Sequence, residues 1–294
     1  MPVRRRKCQS SPLKPVGRRV AFKSGVQDCR VPNPILLISV DGMRPDGLLQ
    51  ADTPCADRLI ATGSHSLKAQ TVMPSVTLPC HTSMHRGVDT PRHGITTNTF
   101  HPLARPVPSI FDVAKAAGLK TAMFFNWAEL RDLMEPASVD LSYSYNDASS
   151  LATDHVVADA AIEHISKHDN DLVFLYLGYT DTSGHDHGWM SEPYINAISN
   201  ADRCIEKVLV AYEKKGHRPN VLLISDHGGH ERSHGTEMWE DMTIPFILHG
   251  PDIKPGFEIT DPVRIFDACP TLAALADLKP AKQWDGRAVT EAFA

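Results

Sequence analysis

Val221-Leu222-Leu223-Ile224-Ser225-Asp226-His227-Gly228 is an apolar run that ends in an acid, an imidazole and a glycine. A near-continuous run of this length suits a strand covered on both faces, because a half-exposed strand would alternate apolar with polar residues. Four more runs read the same way: Ile35–Val40, Lys120–Trp127, Asp171–Tyr179 and Ile244–His249. Between them the apolar spacing turns helical. Residues 150–168 place Val156, Ala160 and Ile165 on one face, and residues 192–213 place Tyr194, Ile198, Ala201, Ile205, Val208 and Tyr212 on another. Ile110–Gly118 and Arg264–Leu278 carry the same spacing, with Gly118 as a helix stop. Strands alternating with helices build βαβ units, so the fold class is α/β with an open, mostly parallel sheet.

The 294 residues, 42% hydrophobic and 22% charged, suffice to bury a large core without disulfide or metal staples. That balance excludes a disordered chain, a collagen-like repeat and a disulfide miniprotein. No apolar run approaches the roughly 18–20 residues that span a bilayer. Cys8, Cys29, Cys55, Cys80, Cys204 and Cys269 show no CxxC spacing and read as reduced thiols. The net charge of −5 hides an asymmetry: residues 1–30 hold nine Lys/Arg against the single acid Asp28, a net +8, which leaves −13 on the remainder. The acidic body argues against nucleic acid as a primary partner. Residues 1–30 read as a basic, disordered leader, and 31–294 as a single domain. The leader has no apolar stretch of the kind a secretory signal needs, so a cytoplasmic location is expected.

Functional residues of such sheets gather at the carboxyl ends of the strands. Asp41 follows the first run, Asp181 and His185 follow the third, and Asp226, His227 and then His234 follow the fourth. Three carboxylates in one crevice repel each other, and a pair of divalent cations removes that repulsion. Mixed imidazole and carboxylate ligation suits zinc best, with manganese or iron also able to bind. Two such cations can stabilise both the attacking and the leaving oxygen of a phosphoryl displacement.

Between the first two of these runs stands Met73-Pro74-Ser75-Val76-Thr77-Leu78-Pro79-Cys80-His81-Thr82-Ser83-Met84. Thr77 with Pro79 two residues on reads as a helix start, either as a simple N-cap or as a hydroxyl set among exposed N–H groups that suit a phosphate. Taken in order, Asp-Gly, T-x-P, D-x-x-x-H, S-D-H-G and H-G resemble the alkaline phosphatase superfamily, and within it the type I phosphodiesterase/nucleotide pyrophosphatase family. The resemblance implies a three-layer αβα catalytic domain with a mostly parallel central sheet. It implies that Asp41, Thr77, Asp226 and His227 hold one zinc, that Asp181, His185 and His234 hold the other, and that Thr77 is the nucleophile of a phosphothreonine intermediate. His93-Gly94-Ile95-Thr96-Thr97-Asn98 fits the family's H-G-I-x-x-N segment, so Asn98, together with the backbone near Leu78, is expected to bind a phosphoryl oxygen.

The chain departs from the family pattern in three places. Cys80 stands where Asn is usual, and Leu78 where a Phe often stacks a nucleobase; Tyr176 occupies the other half of that slot. Only six residues separate His227 from His234, where the family often carries a long insertion. Cys80-His81-Thr82-Ser83-Met84 lacks the C/S-x-P-x-R pattern of sulfatases. The expected partner is a small-molecule phosphodiester or nucleotide. A phosphonate hydrolase and a catalytically silent metal-binding module remain open alternatives. Arg44 and Arg86 read as surface charges, and His187 and His230 as solvated loop histidines, or else as donors behind the metal ligands.

Overall fold

In the computed structural model residues 33–294 are described, apart from Ala104 and Pro136; the segment 1–30, with Cys8 and Cys29, lies outside the described residues. Eight strands form one sheet among the described residues. They are β1 (Ile35–Val40), β2 (Ser64–Gln70), β3 (Thr121–Phe125), β4 (Leu141–Ser144), β5 (Leu172–Leu177), β6 (Asn220–Ile224), β7 (Thr243–His249) and β8 (Phe257–Glu258), in spatial order β4-β3-β5-β1-β6-β7-β2-β8. The five strands from β4 to β6 run parallel. Here the structure corrects one expectation: Ile244–His249 is antiparallel to β6 and to β2. Its apolar composition reflects burial on both faces, which direction does not change. The five runs are otherwise found within a few residues of their expected ends, and Tyr179 already belongs to the next helix.

Helices cover both faces: α1 (Pro45–Gln50), α2 (Pro54–Thr62), α3 (Thr77–Arg86), α4 (Thr90–His93), α5 (Ile110–Ala116), α6 (Leu151–Lys167), α7 (Tyr179–His187), α8 (Glu192–Lys214), α9 (Trp239–Met242) and α10 (Ala268–Leu275). Alternate residues of each strand feed two cores. Leu37, Phe174 and Leu222 pack with Met84, Phe111 and Leu272, whereas Leu36, Val173 and Leu223 pack with Leu59, Val157 and Ile198. Each fully buried side chain of this size is worth roughly 1.5–3 kcal/mol over its exposed state. Helix α8 buries the expected stripe and starts at Ser191, whose hydroxyl caps the Tyr194 N–H. Helix α5 starts in a Ser109/Asp112 capping box. Helix α6 is rotated from the expected face: Val156 is exposed, and Val157, Ala158, Ala161 and Ile165 are buried, because the helix packs on both β3 and α8 rather than on the sheet alone. Arg86 is no surface charge. It is 2% exposed, and its guanidinium donates to the Val107 and Leu133 carbonyls, close to Asp112 and Glu135. Cys55, Cys80, Cys204 and Cys269 are buried free thiols, and no helix among the described residues is long and apolar enough to cross a membrane.

A polar brace joins this scaffold to the functional face. Fully buried Asp154, on α6, accepts through Oδ1 from Asn126 Nδ2 (2.8 Å) and from the Tyr179 N–H (3.3 Å), and Asn126 Oδ1 accepts from the Gly178 N–H (2.9 Å). The brace fixes the start of α7. Burial pushes the Asp154 carboxyl up to about 7. An unfolded Asp ionises near pH ~4. The unfolded chain therefore gives up this proton first, and the group's contribution to stability falls as pH rises from the unfolded value to the folded one. Asp154→Asn cannot ionise, so wild-type stability measured against this variant by denaturant titration should fall by about 1.4 kcal/mol per pH unit between pH 5 and 6.5. A pH-independent difference would exclude a raised Asp154.

Candidate metal centre

The sheet order sets β5, β1 and β6 side by side, and each carries its acid at its carboxyl end. Asp41 follows β1, and Asp226 and His227 follow β6. Asp181 lies in the first turn of α7, and His185 follows one turn later on the same face. Between the ends of β1 and β5, Gly42 has a φ of +66°, and a Cβ there would sit 3.2 Å from both Cα and Cβ of Asp181. Only glycine permits that approach. His234 arrives on the loop after β6. Arg44 and Asp241 clasp that loop: the Arg44 guanidinium donates to the Gly229 carbonyl (3.0 Å), and buried Asp241 accepts from His230 Nδ1 (2.7 Å) and from the Thr236 N–H and hydroxyl. Arg44 is thus buried rather than a surface charge, and His230 is paired rather than free; His187 is exposed, as read.

Two groups of potential ligands form, Asp41/Asp226/His227 and Asp181/His185/His234. His227 Nε2 lies 3.3 Å from Asp41 Oδ1, 3.4 Å from Asp226 Oδ2 and 3.2 Å from Thr77 Oγ1. Asp181 lies 3.5 Å from His185 Nε2 and 3.6 Å from His234 Nε2. Four ligands around a zinc at roughly 2.1 Å would stand ~3.4 Å apart at tetrahedral angles. The imidazole–carboxylate contacts are not hydrogen bonds, whereas the Thr77 hydroxyl is placed to donate to His227 Nε2. Nδ1 of His185, His227 and His234 faces the carbonyls of Arg232 (2.9 Å), Gly228 (2.8 Å) and Ser75 (2.8 Å). A carbonyl only accepts, so each Nδ1 carries the proton and each Nε2 turns a lone pair toward the acids. Asp41 Oδ1, Asp181 Oδ1 and Asp226 Oδ2 are buried without a hydrogen-bond partner. Six potential ligands facing one another make a donor set that suits divalent cations.

The electrostatics agree. Burial, then repulsion from Asp226 and Asp181, holds Asp41 well above the usual carboxylate range; burial also raises Asp181, and burial with Asp181 raises Asp226 to about 8. Burial, then neighbouring His234, holds His227 well below its ordinary value. Without cations the same burial and repulsion favour the protonated carboxyl, and a cation must compete with that proton.

Thr77 is the first residue of α3, with Val76 in the cap position, so its hydroxyl is not spent on capping. Asn98 Oδ1 accepts from the Leu78 N–H (2.9 Å), which leaves its amide Nδ2 to donate. Two expectations change here. The Leu78 side chain is fully buried in the core beneath α3, and its N–H is occupied by Asn98, so Leu78 offers neither a stacking surface nor a free donor. Tyr176 is 1% exposed; its hydroxyl donates to Asp41 Oδ2, which makes it a holder of Asp41 rather than an open platform. A cavity of 140 Å³ opens on Asp41, Asp181, His185 and His234, and besides these, Thr77 and Tyr176 it is lined by Asn98, Trp127, Ala148, Gly178 and Thr182. Cys80 lies beneath it, fully buried, its Sγ 3.1 Å from the Thr71 hydroxyl, which itself donates to the Asp226 carbonyl. Trp127, Thr182, Asp241 and His81 carry no sequence motif; of these only His81, four residues after Thr77 in a helix start, had a spacing that placed it beside the nucleophile.

A family model described as Type I phosphodiesterase / nucleotide pyrophosphatase matches residues 35–243. Ectonucleotide pyrophosphatase/phosphodiesterase family member 1 of Mus musculus is 26% identical over 221 residues, 66% of this chain and 24% of that one. Family member 7 of Homo sapiens is 24% identical over 225 residues, 67% of this chain and 48% of that one. The chain thus spans between a quarter and a half of the length of these relatives. In fold it is similar to murine ectonucleotide pyrophosphatase/phosphodiesterase 5, solved as an inactive variant in complex with AMP, with a TM-score of 0.76, 17% identity, and 89% and 100% of the two chains covered. The phosphonate monoester hydrolase of Silicibacter pomeroyi gives a TM-score of 0.69 at 15% identity, with 87% and 75% covered.

Because Asp226 holds a proton up to about pH 8 without metal, zinc affinity measured by chelator competition should rise with pH from 6 to 8, up to about tenfold per unit for each proton displaced. Asp226→Asn should lower the zinc bound from about two per chain to about one. Flat affinity across that range, or no zinc bound at all, would rule out the centre.

Proposed function

The chain belongs to the type I phosphodiesterase/nucleotide pyrophosphatase family, and we propose that it is a hydrolase of phosphodiester or nucleotide pyrophosphate bonds that uses Thr77 as nucleophile and two divalent cations, zinc by preference. The observation that carries this reading is the setting of the Thr77 hydroxyl, uncapped at a helix start and 3.2 Å from His227 Nε2, beside carboxylate oxygens that lack any donor.

Bound cations would supply the lowered pKa of the hydroxyl and the charge that stabilises the attacking and leaving oxygens. The residues do the rest. Thr77 Oγ bonds to phosphorus as the ester P–O bond breaks; the departing oxygen leaves as the alcohol or nucleotide fragment with the proton given up by the Thr77 hydroxyl, and the phosphoryl group stays on Thr77 as a phosphothreonine that still carries its other substituent. Water then attacks the same phosphorus, the Thr77–phosphorus bond breaks, and the hydroxyl is restored. Asn98 Nδ2 donates to a non-bridging oxygen as its charge grows, held in aim by the Leu78 N–H. Tyr176 and the carbonyls behind the three histidines keep the ligands from turning.

Charge favours diesters over monoesters. Among the described residues no Lys or Arg lines the cavity, so the second negative charge of a monoester finds no partner there beyond the cations. A singly charged diester, or a phosphonate monoester of the same charge, fits better.

Bis-p-nitrophenyl phosphate is therefore expected to be cut at least tenfold faster than p-nitrophenyl phosphate by zinc-loaded protein. Thr77→Ala should lose more than about a thousandfold in kcat, the scale of losing a nucleophile, while it retains the zinc held by the carboxylates and imidazoles. Full activity of that variant would refute the assignment. Cleavage of phosphonates alone would redirect the substrate, and two bound zinc ions with no ester or phosphonate cut would leave a silent binding module.

A further inference from the structure

His81 sits four residues after Thr77 on α3, fully buried beneath the centre. Its Nδ1 is 2.9 Å from the Thr77 carbonyl and 3.4 Å from Asp226 Oδ2. Since the carbonyl only accepts, Nδ1 carries the proton, and the bare Nε2 accepts from the Ser39 hydroxyl at 3.0 Å. Ser39 lies on β1 two residues before Asp41. The imidazole also meets the Tyr176 ring edge-on, centroids 5.3 Å apart, and Tyr176 in turn holds Asp41. One side chain thus touches the peptide of the nucleophile, a carboxylate of the first ligand group and the strand that delivers another.

His85, one turn further on, has the same burial and none of these links. Both of its ring nitrogens lack a partner, and it packs edge-on against Phe174 with centroids 4.6 Å apart. The same helix therefore holds an internal comparison, one imidazole that only packs and one that is wired to the site.

We propose that His81 is the positioning residue of the Thr77 nucleophile, its Nδ1–H bonded to the Thr77 carbonyl and its ring set 3.4 Å from Asp226 Oδ2, so that the hydroxyl is held at ligand distance from the first ligand group. The assignment rests on Thr77 being the nucleophile. Its test separates the two ring nitrogens. In His81→Asn the side-chain amide reproduces the Nδ1 donor, and in His81→Gln it reproduces the Nε2 position facing Ser39.

Each variant, with His85→Gln as the packing control, is measured for zinc affinity by chelator competition, for thermal midpoint, and for kcat and KM on bis-p-nitrophenyl phosphate at saturating zinc. The expected result is a loss of about 10–100-fold in kcat and in affinity for one of the two zinc ions in His81→Gln, with KM changed less than about threefold, and recovery to within about threefold of wild type in His81→Asn. His85→Gln should lower the thermal midpoint without a matching loss of kcat or zinc. Equal behaviour of the two His81 variants, or a loss in His81→Gln that only follows its thermal midpoint as in His85→Gln, would overturn the proposal. If the wild-type protein cuts no diester, the phosphodiesterase reading fails by itself, and the zinc affinities still decide whether His81 holds Asp226.

Discussion

Asp41, Asp181 and Asp226 are packed into one crevice with one oxygen apiece deprived of any hydrogen-bond donor, and the surrounding structure is arranged around that repulsion. A lone buried carboxylate can be satisfied by a hydrogen bond or a neighbouring cation; three cannot share a crevice unless charge is supplied or protons are kept. The three histidines add lone pairs instead of donors, because backbone carbonyls have taken their Nδ1 protons. The histidines thereby add to the demand for a cation, which the Tyr176 hydroxyl on Asp41 and the Gly42 N–H on Asp226 meet only in part.

The fold meets this demand with few parts. Three adjacent parallel strands bring the acids to one edge, and the glycine after β1 lets the end of that strand touch the first turn of α7. Behind the ligands lies a second layer made of the Asn126–Asp154 brace, the Tyr176 hydroxyl, and the clasp of Arg44 and Asp241 on the short loop that carries His234. With only six residues between His227 and His234, the loop reaches the centre only if both of its ends are pinned, which accounts for two charged side chains being buried there.

Most of the central sheet was legible in the sequence, and so were the six Asp and His residues that the structure gathers into two groups, because strands buried on both faces leave apolar runs and Asp and His punctuate their ends. The polar edge strand Ser64–Gln70 and the short β4 and β8 leave no such run. The reversed direction of β7 has no compositional mark at all. The face of α6 was misplaced at Val156 because periodicity alone does not say that the helix packs against two elements. Leu78, Tyr176 and Arg86 were misjudged for one reason: a motif fixes where a residue stands along the chain, whereas its role depends on which side of α3 or β5 its side chain leaves from. Burial reversed the expected role of each.

The two ligand groups differ in their shielding. Asp41, Asp226 and His227 are all buried, whereas His185 is exposed and Asp181 and His234 are partly so. Under the two-cation reading, an ion on the first group would be shielded by buried ligands, whereas one on the second would exchange through motion of a loop and one helical turn. The two positions would then differ in exchange lifetime, and a chelator would empty the outer one first.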